Sequence, residues 1–299
     1  MILELQDIYK SFGEKQVLRG ISFKAEGGKA FGLLGRNGAG KTTTLRIIMN
    51  VFGAAGGQVL FDSEQIDYNK VHFGYLPEER GLYPKKKISE QLIYFAMLKG
   101  MTRKDAIRAI DYWLERLGMT EYRDKRLDTL SKGNQQKIQL ITALAHDPEI
   151  VILDEPFSGL DPVNALLLKD VVKETIAKGK IVLFSSHQMN YIEEFCDSIA
   201  ILNSGKIAIA GELTEIKHSY PRNRLVVKSR QNAEIARAYA ASCTQAENGE
   251  LIITLEDAKS KQNEMQKLSG SYDIDEIRVF EPTLNDIFVE YAGQTDAQR

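Results

Sequence analysis

The stretch Ala30-Phe31-Gly32-Leu33-Leu34-Gly35-Arg36-Asn37-Gly38-Ala39-Gly40-Lys41-Thr42 decides the fold. Its first five residues are an apolar run of buried-strand type. From Thr42 the pattern turns helical, with Leu45, Ile48 and Met49 on one face. Between strand and helix, Gly35 to Thr42 fits the eight-residue phosphate-loop pattern. Its glycines let the backbone wrap a phosphate and present N–H groups at a helix N-terminus. Lys41 supplies a point charge for the outer phosphates, and the Thr42 hydroxyl is suited to Mg²⁺. Nucleotide binding is the expected chemistry.

Working outward, Ile2–Leu5, Ile21–Phe23 and Val59–Phe61 read as strands punctuated by Gly13, Gly27, Gly28 and Gly57. From Ile88 to Leu130 the pattern is helical. There Thr102-Arg103-Lys104-Asp105 resembles a capping box and Gly118 a helix stop. A helix is expected from Gln135 to about Ala145. The strands Ile150–Leu153 and Ile181–Phe184 flank a helix near Ala165–Ala177. Strand, helix, strand at that spacing predicts a parallel, doubly wound sheet. Ile150-Val151-Ile152-Leu153 ends in Asp154-Glu155, where the carboxyl end of a central strand faces the ligand crevice. Asp154 is placed to hold Mg²⁺ through water, and Glu155 to polarise an attacking water as general base.

The 299 residues, 43% apolar and 27% charged, suit one large or two modest domains. With 39 basic and 41 acidic side chains there is no basic footprint, and no nucleic-acid partner is expected. Cys196 and Cys243 are too few for a disulfide framework or a zinc cluster, which fits a reducing compartment. No signal-peptide pattern opens the chain, and no apolar run approaches the roughly 18 residues of a membrane helix. A polar break with a proline, His218-Ser219-Tyr220-Pro221-Arg222-Asn223, separates an expected first domain, 1–217, from a small α+β domain, 222–299. The latter reads as strand Leu225–Val227, helix Glu234–Ala241, strand Leu251–Leu255, helix Ala258–Leu268 and strand Ile274–Phe280, without catalytic motifs.

Leu130-Ser131-Lys132-Gly133-Asn134-Gln135-Gln136 lies between the helical region and the carboxylate strand. With it the chain resembles the ATP-binding subunits of ABC transporters over residues 1 to about 215; their signature usually reads Leu-Ser-Gly-Gly-Gln. Phe12 matches the aromatic that stacks on adenine. Phe31–Thr43 matches the phosphate loop, which implies nucleotide contacts from Gly35, Arg36, Asn37, Gly38, Ala39, Gly40, Lys41, Thr42 and Thr43. Ser158-Gly159-Leu160-Asp161 matches the D-loop, Ser185-Ser186-His187 the switch histidine, and Asn203–Ile207 the closing hairpin. The fold so implied is α/β, a P-loop NTPase of ABC type. It has a parallel-sheet core, an antiparallel β subdomain, a helical subdomain at about 85–145, and the small C-terminal α+β domain. The resemblance also implies catalytic Glu155, His187 and Lys41, and Mg²⁺ at Thr42, Asp154 and Glu78. ATP would be sandwiched between two protomers, with Ser131, Gly133 and Asp161 of one facing the nucleotide on the other. A second ATP-binding subunit, identical or related, and an integral membrane permease are the implied partners. The implied location is peripheral, on the cytoplasmic face of the cell membrane.

Three positions depart from the family pattern. Glu78 stands where most members have Gln, and its charge alters the electrostatics beside the γ-phosphate. Lys132 replaces Gly and Asn134 replaces Gln in the signature; the Lys132 charge is expected to offset Glu78 in part. The segment Gly74–Pro84 and the tail Glu281–Phe288 resemble the type-two-like exporter group of sodium, drug and lantibiotic efflux ATPases, which implies export. The alternative is a non-transport ABC ATPase, a nucleotide-driven clamp in translation, repair or cluster assembly.

Overall fold

The computed structural model of the chain describes residues 1–79, 81–158, 160–186, 188–246 and 248–293. The chain divides into two compact units. One holds Met1–Leu213 and the residues from Phe288 onward, the other Thr214–Ile287.

In the first unit, β1 (Ile2–Phe12) and β2 (Lys15–Glu26) form an antiparallel hairpin turned at Gly13, whose φ of 58° suits glycine. Both strands run beyond the apolar segments that mark them in sequence. β3 (Ala30–Gly35) is buried throughout and leads into α1 (Lys41–Ile48). β4 (Gly56–Phe61) and the short β5 (Glu64–Gln65) complete an antiparallel sheet in the order β2-β1-β4-β5. β6 (Phe73–Leu76) precedes α2 (Ile88–Leu98), α3 (Arg103–Arg116) and α4 (Lys132–Leu144).

The helical region therefore stops short of Leu130. Gly118, at φ 63°, ends α3 as expected, and only single turns at Thr120–Tyr122 and Leu127–Thr129 follow. The capping box is altered as well. The Thr102 hydroxyl accepts from the Asp105 N–H at 3.2 Å and itself donates to the Asp105 carboxylate at 2.6 Å. Asp is one methylene shorter than the Glu of a capping box, and here its carboxylate takes the hydroxyl proton.

β7 (Ile150–Asp154), α5 (Pro162–Ala177), β8 (Ile181–Ser185), α6 (Met189–Phe195), β9 (Ser198–Asn203) and β10 (Lys206–Glu212) complete the second sheet. Its order is β10-β9-β3-β8-β7-β6. All neighbouring pairs are parallel except β9–β10, a hairpin turned at Ser204 and Gly205 with φ of 49° and 81°. β3, β7 and β8 are buried on both faces, which explains their unbroken apolar runs. One core joins the two sheets, with Leu3, Leu5 and Ile21 meeting Leu33, Ile152 and Leu183. In register, Leu33 and Asp154 both lie opposite Ser185, so β3, β7 and β8 end at one sheet edge.

Beyond α7 (Leu213–His218), the second unit runs β11 (Arg224–Ser229), α8 (Asn232–Ala238), β12 (Cys243–Gln245), β13 (Leu251–Thr254), α9 (Lys261–Ser271) and β14 (Ile274–Val279). Its antiparallel sheet has the order β12-β13-β11-β14, the split βαβ arrangement of ferredoxin-like folds. Alternate residues Leu225, Val227, Leu251 and Ile253 bury their side chains with Ile235 of α8 and Leu268 of α9. α10 (Leu284–Gly293) closes the described chain. Among the described residues, no helix is long and apolar enough to cross a membrane.

Candidate active site

The carboxyl edge of the parallel sheet opens on a cavity of about 560 Å³. The β3–α1 loop contributes Arg36, Asn37, Gly38 and Gly40 to its wall, and the first turn of α1 contributes Lys41, Thr42 and Thr43. β7 brings Asp154 and the Glu155 that follows it, β8 brings Ser185, and the segment after β6 brings Glu78. Phe12, Lys15 and Val17 of the first hairpin form a further wall. The loop depends on glycine at Gly40, where φ is 114° and a Cβ would lie 2.6 Å from the Leu18 side chain.

The Lys41 ammonium donates to the Gly35 carbonyl at 2.6 Å, within the loop that it follows. Burial lowers its pKa, while the negative charges of Glu155, Asp154 and Glu78 pull it back up. Asp154 and Glu155 are only 5% and 6% exposed. Burial raises the Asp154 carboxyl, and Glu78 and Glu155 push it the same way while Lys41 opposes. The Tyr75 hydroxyl donates to Asp154 at 3.4 Å; its own phenol is pushed up to about 12, by burial first and by Asp154 next.

Glu155 adopts a φ of 50°, uncommon for a residue with a side chain. Its surroundings hold it there. Its N–H donates to the Ser185 carbonyl at 2.8 Å, and the Ser186 hydroxyl donates to its carboxylate at 2.9 Å. Phe12 is half exposed, with the Phe52 ring edge-on at 5.4 Å and the Lys10 ammonium 5.2 Å from its centroid.

Among the described residues, no three His, Cys, Asp or Glu side chains form a cluster that could hold a metal alone. The Thr42 hydroxyl and the Asp154 and Glu78 carboxylates do face one cavity. Such a set of hard oxygen donors fits Mg²⁺, which usually takes one or two carboxylates and completes its shell with waters and substrate phosphates.

The other expected residues sit elsewhere. Gly35 and Ala39 are buried within the loop. Ser131 caps α4, its hydroxyl accepting from the Asn134 N–H at 3.3 Å. Asp161 caps α5, accepting from the N–H groups of Val163 and Asn164 at 3.0 Å each; the Asn164 bond leads in holding its carboxyl below the usual range. Gly133 lies against Asn164, where a Cβ would fall 2.8 Å from the amide nitrogen. Ser131, Gly133 and Asp161 thus gather at the N-termini of α4 and α5, apart from the wall of the phosphate cavity. Lys132 is exposed and is not among the residues that line the cavity, whereas Glu78 is. His187 and Gly159 lie outside the described residues. Lys15 and Val17 join the site without being marked by a motif, whereas Ser185 and Tyr75 lie inside the stretches Ser185-Ser186-His187 and Gly74–Pro84 without a role assigned to them there. For Ser185 a signal exists, its place at the carboxyl end of an apolar strand.

The family described as ABC transporter matches residues 18–158, and the C-terminal domain of DrrA1-3-like ATP-binding proteins matches residues 211–292. The ABC transporter ATP-binding protein YhaQ of Bacillus subtilis is 40% identical over 296 residues, 98% of this chain and 99% of YhaQ. The chain belongs to the ATP-binding subunits of ABC transporters. The linearmycin resistance ATP-binding protein LnrL of the same organism is 33% identical over 219 residues, covering 72% of this chain and 70% of LnrL. A solved ATP-binding subunit of an ABC transporter superposes with a TM-score of 0.67 at 29% identity, over 73% of this chain and 92% of its own. This ABC ATPase binds and hydrolyses ATP as the motor of a transporter, and such subunits work with membrane permease components. The match to YhaQ over nearly all of both chains sets aside the clamp alternative.

Proposed function

We propose that the phosphate-loop cavity is the ATP site and that the subunit drives export through a separate membrane permease. One observation carries this reading: a phosphate loop, a buried carboxylate pair, Glu78 and an exposed aromatic ring line the same cavity. In the proposal, Phe12 stacks on adenine, and the loop from Gly35 to Thr43 cradles the phosphates with Lys41 on the outer ones. Thr42, Asp154 and Glu78 hold Mg²⁺, which when bound polarises the phosphoryl oxygens. Glu155 takes a proton from the attacking water. His187 is assigned the switch-histidine role by resemblance alone.

Ser131, Gly133 and Asp161 complete the site of a second ATP-binding subunit. Their separation from the phosphate cavity of their own chain supports a shared, two-chain arrangement, as does the presence of one phosphate loop and one signature per chain. ATP then holds two subunits together, and hydrolysis releases them. Export rests on the likeness to a resistance ATPase and on the C-terminal domain. The subunit would lie at the cytoplasmic face of the membrane, on its permease.

Capture of the tagged full-length chain from detergent-solubilised membranes tests the partnership. The expected result is a polytopic membrane protein recovered at about one copy per ATPase subunit. Recovery with ribosomes alone would overturn the transport assignment.

A further inference from the structure

Two glutamines on α4 reach the two acidic segments of the cavity. Gln139, buried to 4% exposure, donates its amide to the Glu79 carbonyl at 3.1 Å. Gln136, one helical turn earlier on the same face, donates to the Pro156 carbonyl at 3.2 Å. Each carbonyl belongs to the residue immediately after an acid that lines the cavity, Glu78 in one case and Glu155 in the other. Pro156 has no N–H of its own to donate. Among the described residues, Pro77–Glu79 forms no backbone–backbone hydrogen bond outside the strands, so the Gln139 amide is a tether for that segment. The neighbouring Glu155 backbone is in the left-handed region, a conformation that persists only when its surroundings fix it.

The helix that carries both glutamines begins at Ser131, on the signature. We propose that Gln136 and Gln139 are positioning residues, which set the Glu155 and Glu78 segments from the signature helix and deliver any displacement of its Ser131 end to both acids. This rests on the reading that Glu155 and Glu78 act on ATP and that Ser131 meets the nucleotide of the second subunit. A helix is stiff along its axis, and each bond, at 3.2 Å from Gln136 and 3.1 Å from Gln139, terminates at main chain. Movement of α4 is therefore passed to the backbone that carries each acid.

The test uses the purified full-length chain with Gln139→Met and Gln136→Met, which keep side-chain length and remove the donor. Ile138→Val, at a fully buried apolar position of α4 that has no donor to offer, serves as a control for helix packing. Each glutamine variant is expected to lower kcat about tenfold with KM for ATP changed less than about twofold. Amide exchange of Glu155 and Ser158, whose N–H groups are hydrogen-bonded, is expected to quicken in Gln136→Met. The half-buried Gln136 site keeps the test open if Gln139→Met fails to fold. Unchanged turnover in the glutamine variants with unchanged exchange in Gln136→Met, or the same kcat loss in Ile138→Val, would overturn the proposal. Normal hydrolysis by Glu155→Gln would instead overturn the functional reading on which it rests.

Discussion

At Gly74 there is no room for a single methyl group. A Cβ built there would lie 2.2 Å from the Ala143 carbonyl oxygen and 2.8 Å from the Pro148 ring. The neighbour is main chain of α4, so it cannot swing aside as a side chain would. Gly74→Ala is expected to cost about 1–3 kcal/mol, the usual range for overpacking, read as a lower urea midpoint at unchanged slope. The same scale shows what the sequence makes legible at the site. Gly35–Thr42 and Asp154-Glu155 are contiguous patterns, so residue order alone carries their chemistry. Lys15 and Val17 reach the site only through hairpin geometry, and no local pattern marks them; Tyr75 sits in a recognisable stretch, but its bond to Asp154 comes from the pairing of β6 with β7. Phe12, by contrast, is legible only through resemblance, since one aromatic in a polar stretch carries no physical signal of its own.

Between α4 and β6 lies a histidine whose burial makes a pH dependence of stability expected. His146, just past the end of α4, contacts the Phe73 carbonyl through its Nε2 at 3.0 Å. Burial pushes its imidazole down to about 4, whereas an unfolded histidine titrates near 6.5. The folded chain therefore keeps it neutral, and its full contribution is present above about pH 6.5. That contribution is lost as pH falls from there toward about 4, by up to ~3 kcal/mol. Stability measured from pH 7 to pH 4 is expected to fall less steeply in His146→Leu than in the wild type. Parallel curves would show that the ring does not drive the loss.

Elements differ in how far sequence exposes them, for physical reasons. β3, β7 and β8 are covered on both faces and read directly as apolar runs. β1 and β2 alternate buried with exposed positions, so only their most apolar parts stand out. α5 begins at Pro162 behind its Asp161 cap, an Asp-Pro start that extends the expected helix by three residues. β12 has three residues and pairs with β13 alone, too short for any periodic signal. α10 is a helix that the sequence reading does not contain, although Thr283 and Asp286 cap it, the hydroxyl donating to the carboxylate at 2.7 Å.

For the whole molecule, two separate cores imply separable stability. The first joins two sheets of the larger unit, and the second lies between one sheet and the helices α8 and α9. Calorimetry is expected to resolve more than one transition, as multidomain chains commonly depart from two-state behaviour. Leu268→Ala, which empties a fully buried position of the smaller core, should destabilise that unit by about 2–5 kcal/mol and leave ATP affinity unchanged. A uniform shift of a single transition would contradict independent cores. The larger unit carries the proposed ATP site, in which Glu155 would activate water against ATP held across two subunits. The most direct measurement compares Glu155→Gln with the wild type in Mg·ATP, following phosphate release and mass in solution together. Hydrolysis is expected to be at least about 100-fold slower, within the range for losing a general base, with a stable dimer of doubled mass. Wild-type turnover with an unchanged mass would contradict that role of Glu155.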